Sequence, residues 1–322
     1  MPVIRLDLAA LMKSGQITPE EATRLAALAL PGTRAGLAVN LLLIFGAVAV
    51  AIAAIALVPN AATGLMLALG AITGAEILRR LKTGPVTGDS FALLATALAL
   101  MGTLGLAGWT AWQFQDAPAT APAVLVTFVL AAGALWYCSA FLAALAVLAL
   151  GAVFGTGTGY WHASYGLFVE EPVITIAVFG ALAAGLYQLR ATLPEAWSNL
   201  TTVAARTGLV LVHFGFWVGS LWGDVIGDSW LPYGSRSEAG RILPWIFSLG
   251  WAGFSLALAL RTPRGGFLSV SALVFLAIHG YTQYFETFGA EPMSLLIAGL
   301  VLVGLAIGVA RFVRRGELKP DG

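Results

Sequence analysis

Residues 121–156 read APAVLVTFVLAAGALWYCSAFLAALAVLALGAVFGT, a run with no Asp, Glu, Lys, Arg or His. An α-helix needs about 20 apolar residues to cross a hydrocarbon core, so this run holds either one interrupted crossing or two short ones. The interruption falls at Trp136-Tyr137-Cys138, which leaves a tight hairpin, a re-entrant pair and a single broken span open. The choice matters beyond these residues, because one crossing fewer would reverse the sidedness of every later loop.

Working outward, similar apolar runs recur from Gly36 to Phe312. We place spans at about 36–57, 61–78, 90–112, 121–137, 139–156, 172–189, 207–222, 242–260, 267–284 and 292–312. Lysine and arginine are retained on the cytoplasmic side. With the N-terminus inside and ten crossings, fifteen of the seventeen Lys and Arg residues are cytoplasmic, and only Arg236 and Arg241 lie outside. Collapsing spans four and five into one destroys that agreement, so the charge pattern favours an even count. The outer loops carry Asp116, Glu170, Glu171, Asp224, Asp228, Glu238, Glu286 and Glu291.

Composition agrees. The chain is 59% hydrophobic and 10% charged, with a mean hydropathy of +0.89, against roughly 25% charged residues in soluble domains. The expected fold class is therefore all-α, a polytopic membrane helical bundle of about ten spans, whose first partner is the lipid bilayer. A net charge of +1 offers no polybasic surface for nucleic acid. One cysteine, Cys138, excludes an intrachain disulfide and multi-cysteine metal sites. No signal peptide is read before the first apolar run.

Three regions follow: 1–34 as a cytosolic helical hairpin, 35–313 as the membrane domain, and 314–322 as a cytosolic tail. In the hairpin, Ile4, Leu8, Leu11 and Met12 share a helical face before a break at Ser14-Gly15. Thr18-Pro19-Glu20-Glu21 then supplies a capping hydroxyl, a proline at the first helical position and a carboxylate three residues after the cap. Such a small hairpin would dock on the membrane domain, on a partner, or on itself in a dimer. A second capping signature, Thr192 to Glu195 with Pro194, predicts a helix leading into span seven.

Ionisable groups inside a bilayer are costly and are functional candidates. Offsets of four and seven put His279, Gln283 and Glu286 on one face of span nine, and offsets of seven and eleven put His213, Ser220 and Asp224 on one face of span seven. Facing each other, with His162 of the Tyr160-Trp161-His162 loop nearby, these stripes would line an outward-opening cavity able to relay protons or bind a cation. The plainer alternative is a buried histidine bonded to a neighbouring helix, with carboxylates hydrated at the interface. No paired-His spacing points to a metal, and no cofactor motif occurs.

Glu76 lies four residues before Arg80, as an interfacial ion pair would, and Asn40 is read as an interhelical donor. Gly70/Gly74, Gly151/Gly155, Gly215/Gly219/Gly223 and Gly304/Gly308 have the spacing of close helix packing. Gly155 to Gly159 lacks the lysine, strand and helix of a phosphate loop. Trp109, Trp112, Trp161, Trp222, Trp230, Tyr233 and Tyr284 fall near outer ends, as an aromatic belt would.

The stretch Leu8-Ala9-Ala10-Leu11-Met12-Lys13-Ser14-Gly15-Gln16-Ile17-Thr18-Pro19-Glu20-Glu21-Ala22, followed by apolar spans, resembles an uncharacterised group of bacterial predicted membrane proteins, with the His279 to Glu286 segment as a second marker. That resemblance implies a multi-pass protein of the bacterial inner membrane and lends no catalytic or binding residues. Ten spans with both ends inside is also similar to the drug/metabolite transporter superfamily, built from inverted five-span halves, although no motif repeats between 36–156 and 172–312. The leading expectation is transport or sensing of a small solute, ion or proton through the cavity between spans seven and nine. The alternative is a non-catalytic scaffold or assembly factor recruiting a partner through residues 1–34. A membrane enzyme has the least support, since no catalytic set can be assembled.

Overall fold

The structure, a computed structural model, describes residues 11–12, 14–28, 45–46, 48–49, 52–53, 56, 58–80, 88–118, 120–161, 164–227, 241–263, 265–289 and 291–317. Most of the first expected span, Asn40 and His162 therefore lie outside the described residues. The chain divides into two units, residues 1–105 and 106–322, and each is taken by itself.

In the first unit the break at Ser14-Gly15 closes as a paired cap. The Gln16 N–H donates to the Leu11 carbonyl at 3.0 Å and the Gly15 N–H to that of Met12 at 3.1 Å. Gly15 sits at φ 70°, the left-handed position that glycine fills without a Cβ clash. The expected capping box then forms. The Thr18 N–H donates to Glu21 Oε2 at 2.9 Å, and the Glu21 N–H donates back to Thr18 Oγ1 at 3.2 Å. It opens helix α1, Pro19–Leu28.

Helix α2, Ala61–Arg80, begins where Asn60 Oδ1 accepts from the Thr63 N–H at 2.8 Å and ends at the anticipated ion pair, Glu76 to Arg80 at 2.7 Å. Helix α3, Gly88–Gln113, packs on it through small residues. A Cβ at Gly102 would meet the Ala68 carbonyl at 2.9 Å, and one at Gly105 would come within 3.2 Å of the Ala68 Cβ. Membrane helices approach in this way when no bulky side chain intervenes.

The second unit opens with the stretch on which the topology depends. Helices α4, Thr120–Tyr137, and α5, Ala140–Val153, pack against each other as a hairpin. Cys138 takes φ 51° and Ser139 caps α5 by accepting from the Leu142 N–H at 3.4 Å. Two helices packed side by side fit the tight hairpin or the re-entrant pair and not the single broken span. Helix α5 has 14 residues, about 21 Å at 1.5 Å per residue.

After α5 the chain leaves the helical pattern for an antiparallel hairpin, β1 Thr156–Trp161 and β2 Ser164–Val169, in register from Thr156↔Val169 to Trp161↔Ser164. The glycine run at 155–159 thus turns into a strand. Thr156 Oγ1 lies 3.0 Å from Thr175 Oγ1, both residues buried, which ties the hairpin to helix α6, Pro172–Leu189.

A 3-10 turn at Arg190–Thr192 leads to α7, Glu195–Trp222. The expected cap is not made here. Thr192 Oγ1 donates to the Leu189 carbonyl at 2.9 Å, and Pro194 takes the cap position with no side-chain bond. The leading helix and span seven are one continuous helix of 28 residues, about 42 Å long. Helices α8 Pro244–Arg261, α9 Phe267–Phe288 and α10 Pro292–Glu317 follow.

Helix α7 is the core of this unit. Its buried face includes Ala204, Ala205, Gly208, Val212, Gly215 and Gly219, and it packs against α5, α6 and α8. A Cβ at Gly215 would meet the Pro172 carbonyl of α6 at 3.1 Å, and one at Gly219 would strike the Phe247 ring of α8. These glycines carry the packing. Gly70, Gly304 and Gly308, read from the same spacing, have nothing among the described residues within 4 Å of an added Cβ.

Outward-facing side chains are large and apolar. Leu260 is 75% exposed, Met66 74%, Phe128 73% and Leu300 66%, a surface unlike that of water-soluble monomers, where apolar patches stay small. Five described helices are long and apolar enough to cross a bilayer: those at Ala61–Arg80, Ala92–Gln113, Thr120–Tyr137, Pro172–Thr192 and Glu195–Trp222. Among the described residues the fold is all-α apart from one β-hairpin, with apolar helices suited to lipid contact.

Candidate functional site

The stripe on α7 is held inside the protein. His213, Ser220 and Asp224 are 0%, 4% and 5% exposed. His213 Nδ1 accepts from the Trp251 Nε1–H of α8 at 2.9 Å. Its ring stacks on Phe275 of α9, centroids 4.1 Å apart and planes 8° from parallel, and Phe254 lies 5.5 Å away. Two turns later Ser220 Oγ donates to the Trp217 carbonyl at 2.7 Å and is approached by Gln283 Nε2 of α9 at 3.5 Å.

Helix α9 uses two faces. Along one, Phe275, His279 and Gln283 turn toward α7 and α8. His279 is 8% exposed and lies against Trp251 at 4.6 Å between centroids. Along the other, Leu276, Gly280 and Tyr284 join Ala298, Val301 and Leu302 of α10 around an apolar groove of about 240 Å³. The expected third member of the polar stripe, Glu286, is exposed. On a 3.6-residue period its offset of seven returns near His279, but one turn beyond Gln283 the neighbouring helices no longer cover it.

At the end of α7, Asp224 does something else. Its Oδ2 accepts from the Val173 N–H at 2.7 Å, at the first turn of α6, where backbone donors are otherwise unsatisfied and the helix dipole favours negative charge. Its backbone pairs with Ile242, at 2.7 and 3.0 Å. Gly223 makes this possible: it sits at φ 74°, and a Cβ there would fall 2.5 Å from the Ile242 carbonyl. Glu171, the residue before α6, is fully buried and accepts from the Gly227 N–H at 2.8 Å. Two buried carboxylates thus cross-tie the start of α6 to the chain leaving α7.

The sequence-predicted residues accordingly fall into three places. His213 and His279 meet on Trp251. Ser220 and Gln283 touch one another. Asp224 is committed to α6, and Glu286 faces outward. Among the described residues no group of three or more His, Cys, Asp or Glu is placed to hold a metal ion.

Trp251 is the residue that sequence reasoning passed over. It is fully buried and its ring also lies 6.4 Å from that of Trp217. Its signal was position, since a tryptophan in the middle of a span cannot belong to an interfacial belt. Around it, among the described residues, three ring atoms are buried without a partner: His213 Nε2, Trp217 Nε1 and His279 Nδ1. Each such atom costs about 1–3 kcal/mol, and unsatisfied buried groups are uncommon enough to call for a reason.

No family model matches the chain, and no curated protein or solved structure matches it.

Proposed function

We propose that the protein is a ten-span protein of a bacterial inner membrane, with both termini cytoplasmic, that moves or senses a small solute, ion or proton along a polar seam between α7 and α9 opening outward. The resemblance of residues 8–22 to the bacterial membrane-protein group is part of this proposal. The span count is supported by the match between α2–α10 and nine expected crossings, with the run at 36–57 as the tenth. Reporter fusions after residues 137 and 170 test the sidedness: cytoplasmic and outer positions are expected, respectively, and the same side for both would overturn it.

The observation that carries the function is the pair of imidazoles on Trp251, each buried and, among the described residues, with one ring nitrogen unpartnered. A histidine kept only for packing gains from having both nitrogens bonded. Polar atoms left open in the middle of an apolar bundle fit a site that receives something. Asp224 and Glu286 serve the reading as the outer end of the route, the first buried beside α6 and the second at the surface. In proteoliposomes carrying an internal pH-sensitive dye, a pH or solute gradient should drive flux that His279→Ala abolishes while the protein stays folded. Flux indifferent to both His279→Ala and Glu286→Gln would remove these residues from the mechanism.

A scaffold reading has one observation of its own. The tightly capped segment around α1 leaves Met12 40% and Leu25 37% exposed, apolar surface that a partner could cover. Deleting residues 1–32 would then abolish capture of a partner and leave the membrane helices intact. Unchanged capture would sink it.

A further inference from the structure

The groove between α9 and α10 has the dimensions of one hydrocarbon chain. Ser294 and Ala298 of α10 are buried, whereas every described residue from Gly299 to Arg311 is exposed, so α10 is covered near its start and stands clear beyond. On the α9 wall a Cβ added at Gly280 would meet nothing among the described residues within 4 Å. That wall, from Leu276 to Tyr284, is about 12 Å long at 1.5 Å per residue. An extended chain advances about 1.2 Å per bond, so the length takes about ten carbons. The volume agrees. A dry cavity of about 150 Å³ takes up benzene, and on that scale the groove's 240 Å³ has room for about ten carbons. A helix is about 10 Å across, and about 12 Å of one would need on the order of 900 Å³, too much for this space.

Polarity distinguishes the two ends. Tyr281 and Tyr284 supply the groove's side-chain hydroxyls, and among the described residues neither makes a hydrogen bond. Tyr284 lies about 6 Å from the end of α9 at Phe288, near the level where an aromatic ring with a polar tip meets the membrane interface. Leu276 lies about 18 Å from that end, close to the depth of one leaflet's hydrocarbon, about 15 Å. We infer that the groove holds one acyl chain of a bilayer phospholipid, with the Tyr284 hydroxyl donating to the ester carbonyl at the head of the chain. This rests on the reading that α9 and α10 span the membrane, and is independent of transport. Bulk lipid is as apolar as the groove, so retention comes from close packing and from that hydrogen bond.

The test uses the full-length protein in liposomes of phosphatidylethanolamine and phosphatidylglycerol, doped with a phospholipid carrying a diazirine midway along one acyl chain. Photolysis should label Ala277, Gly280 and Leu302 more heavily than Leu300, which a 3.6-residue period places on the α10 face away from the groove. Gly280→Leu puts a side chain into the open space and favours the helix. It should abolish groove labelling, leave that at Leu300 unchanged and not lower the unfolding temperature. Tyr284→Phe keeps the ring and removes the donor, and a spin-labelled phospholipid should leave its motionally restricted state about fivefold faster. Unchanged exchange would overturn the ester contact. Labelling at Leu300 without the groove would overturn the inference and spare the membrane-spanning reading, whereas labelling at neither would sink both. A lowered unfolding temperature in Gly280→Leu would show that protein already fills the space, and would overturn the inference as well.

Discussion

The stripes on α7 and α9 are alike on paper: each begins with a histidine, continues through a neutral polar residue and ends in a carboxylate on one helical face. In the fold they part company. The α7 stripe is buried from end to end, with His213 bonded to Trp251 and Asp224 bonded to α6. The α9 stripe emerges from a buried His279, through a half-buried Gln283, to an exposed Glu286. Periodicity tells which residues share a face. What that face touches is decided by neighbours, and α7 has them on every side whereas α9 gives one face to the apolar groove with α10.

The sharpest way to break this contrast is His213→Ala. It empties a ring-sized space in the core and leaves the Trp251 N–H unbonded, so thermal unfolding in mild detergent should show a loss of about 3 kcal/mol or more. Asp224→Ala should come next. It removes the acceptor at the first turn of α6, a loss of about 1–2 kcal/mol, and increased amide exchange confined to Val173 and its neighbours would locate it there. Glu286→Gln, at the matching place on α9, should change stability by less than about 0.5 kcal/mol. A drop comparable to that of Asp224→Ala would show that the two carboxylates are not in different settings after all.

The smallest effect lies outside both stripes. Hydrogen bonds from the Thr18 backbone and then its side chain hold the Glu21 carboxyl below its ordinary value. A carboxylate with a depressed pKa in the folded state stabilises above its unfolded value and loses that contribution as pH falls through the folded one. The start of α1 should therefore fray only in acid below pH 4.5, and Glu21→Gln should flatten that dependence. Carbon-detected titration of Glu21 would measure it, and an unshifted carboxyl would show that the box does not persist in solution.

Much of the helical plan was legible in the sequence. Apolar runs locate α2 to α6 and α8 to α10 to within about five residues, because a long apolar run satisfies its own backbone as a helix, whereas α7 starts at Glu195, well ahead of the expected span at 207. The capping box at Thr18 and the ion pair at Glu76 were legible too, since both depend on neighbours in sequence. The β-hairpin at 156–169 was not: its strands are held by pairing with each other and by Thr175. Nor was the role of Thr192, whose hydroxyl had a closer acceptor in the carbonyl of Leu189. For the candidate site, the shared faces could be read and the tertiary partners could not. Trp251 lies 38 residues from His213, and the bond from Asp224 to Val173 spans 51. No local pattern encodes either one.

The turn between α4 and α5 carries one more consequence. Cys138 is the chain's single cysteine, a free thiol exposed at the two-residue turn. The native polypeptide thus arrives with one labelling position, placed where the count of crossings is decided. A membrane-impermeant maleimide added to sealed vesicles of either orientation would read which compartment that turn faces, with no residue altered.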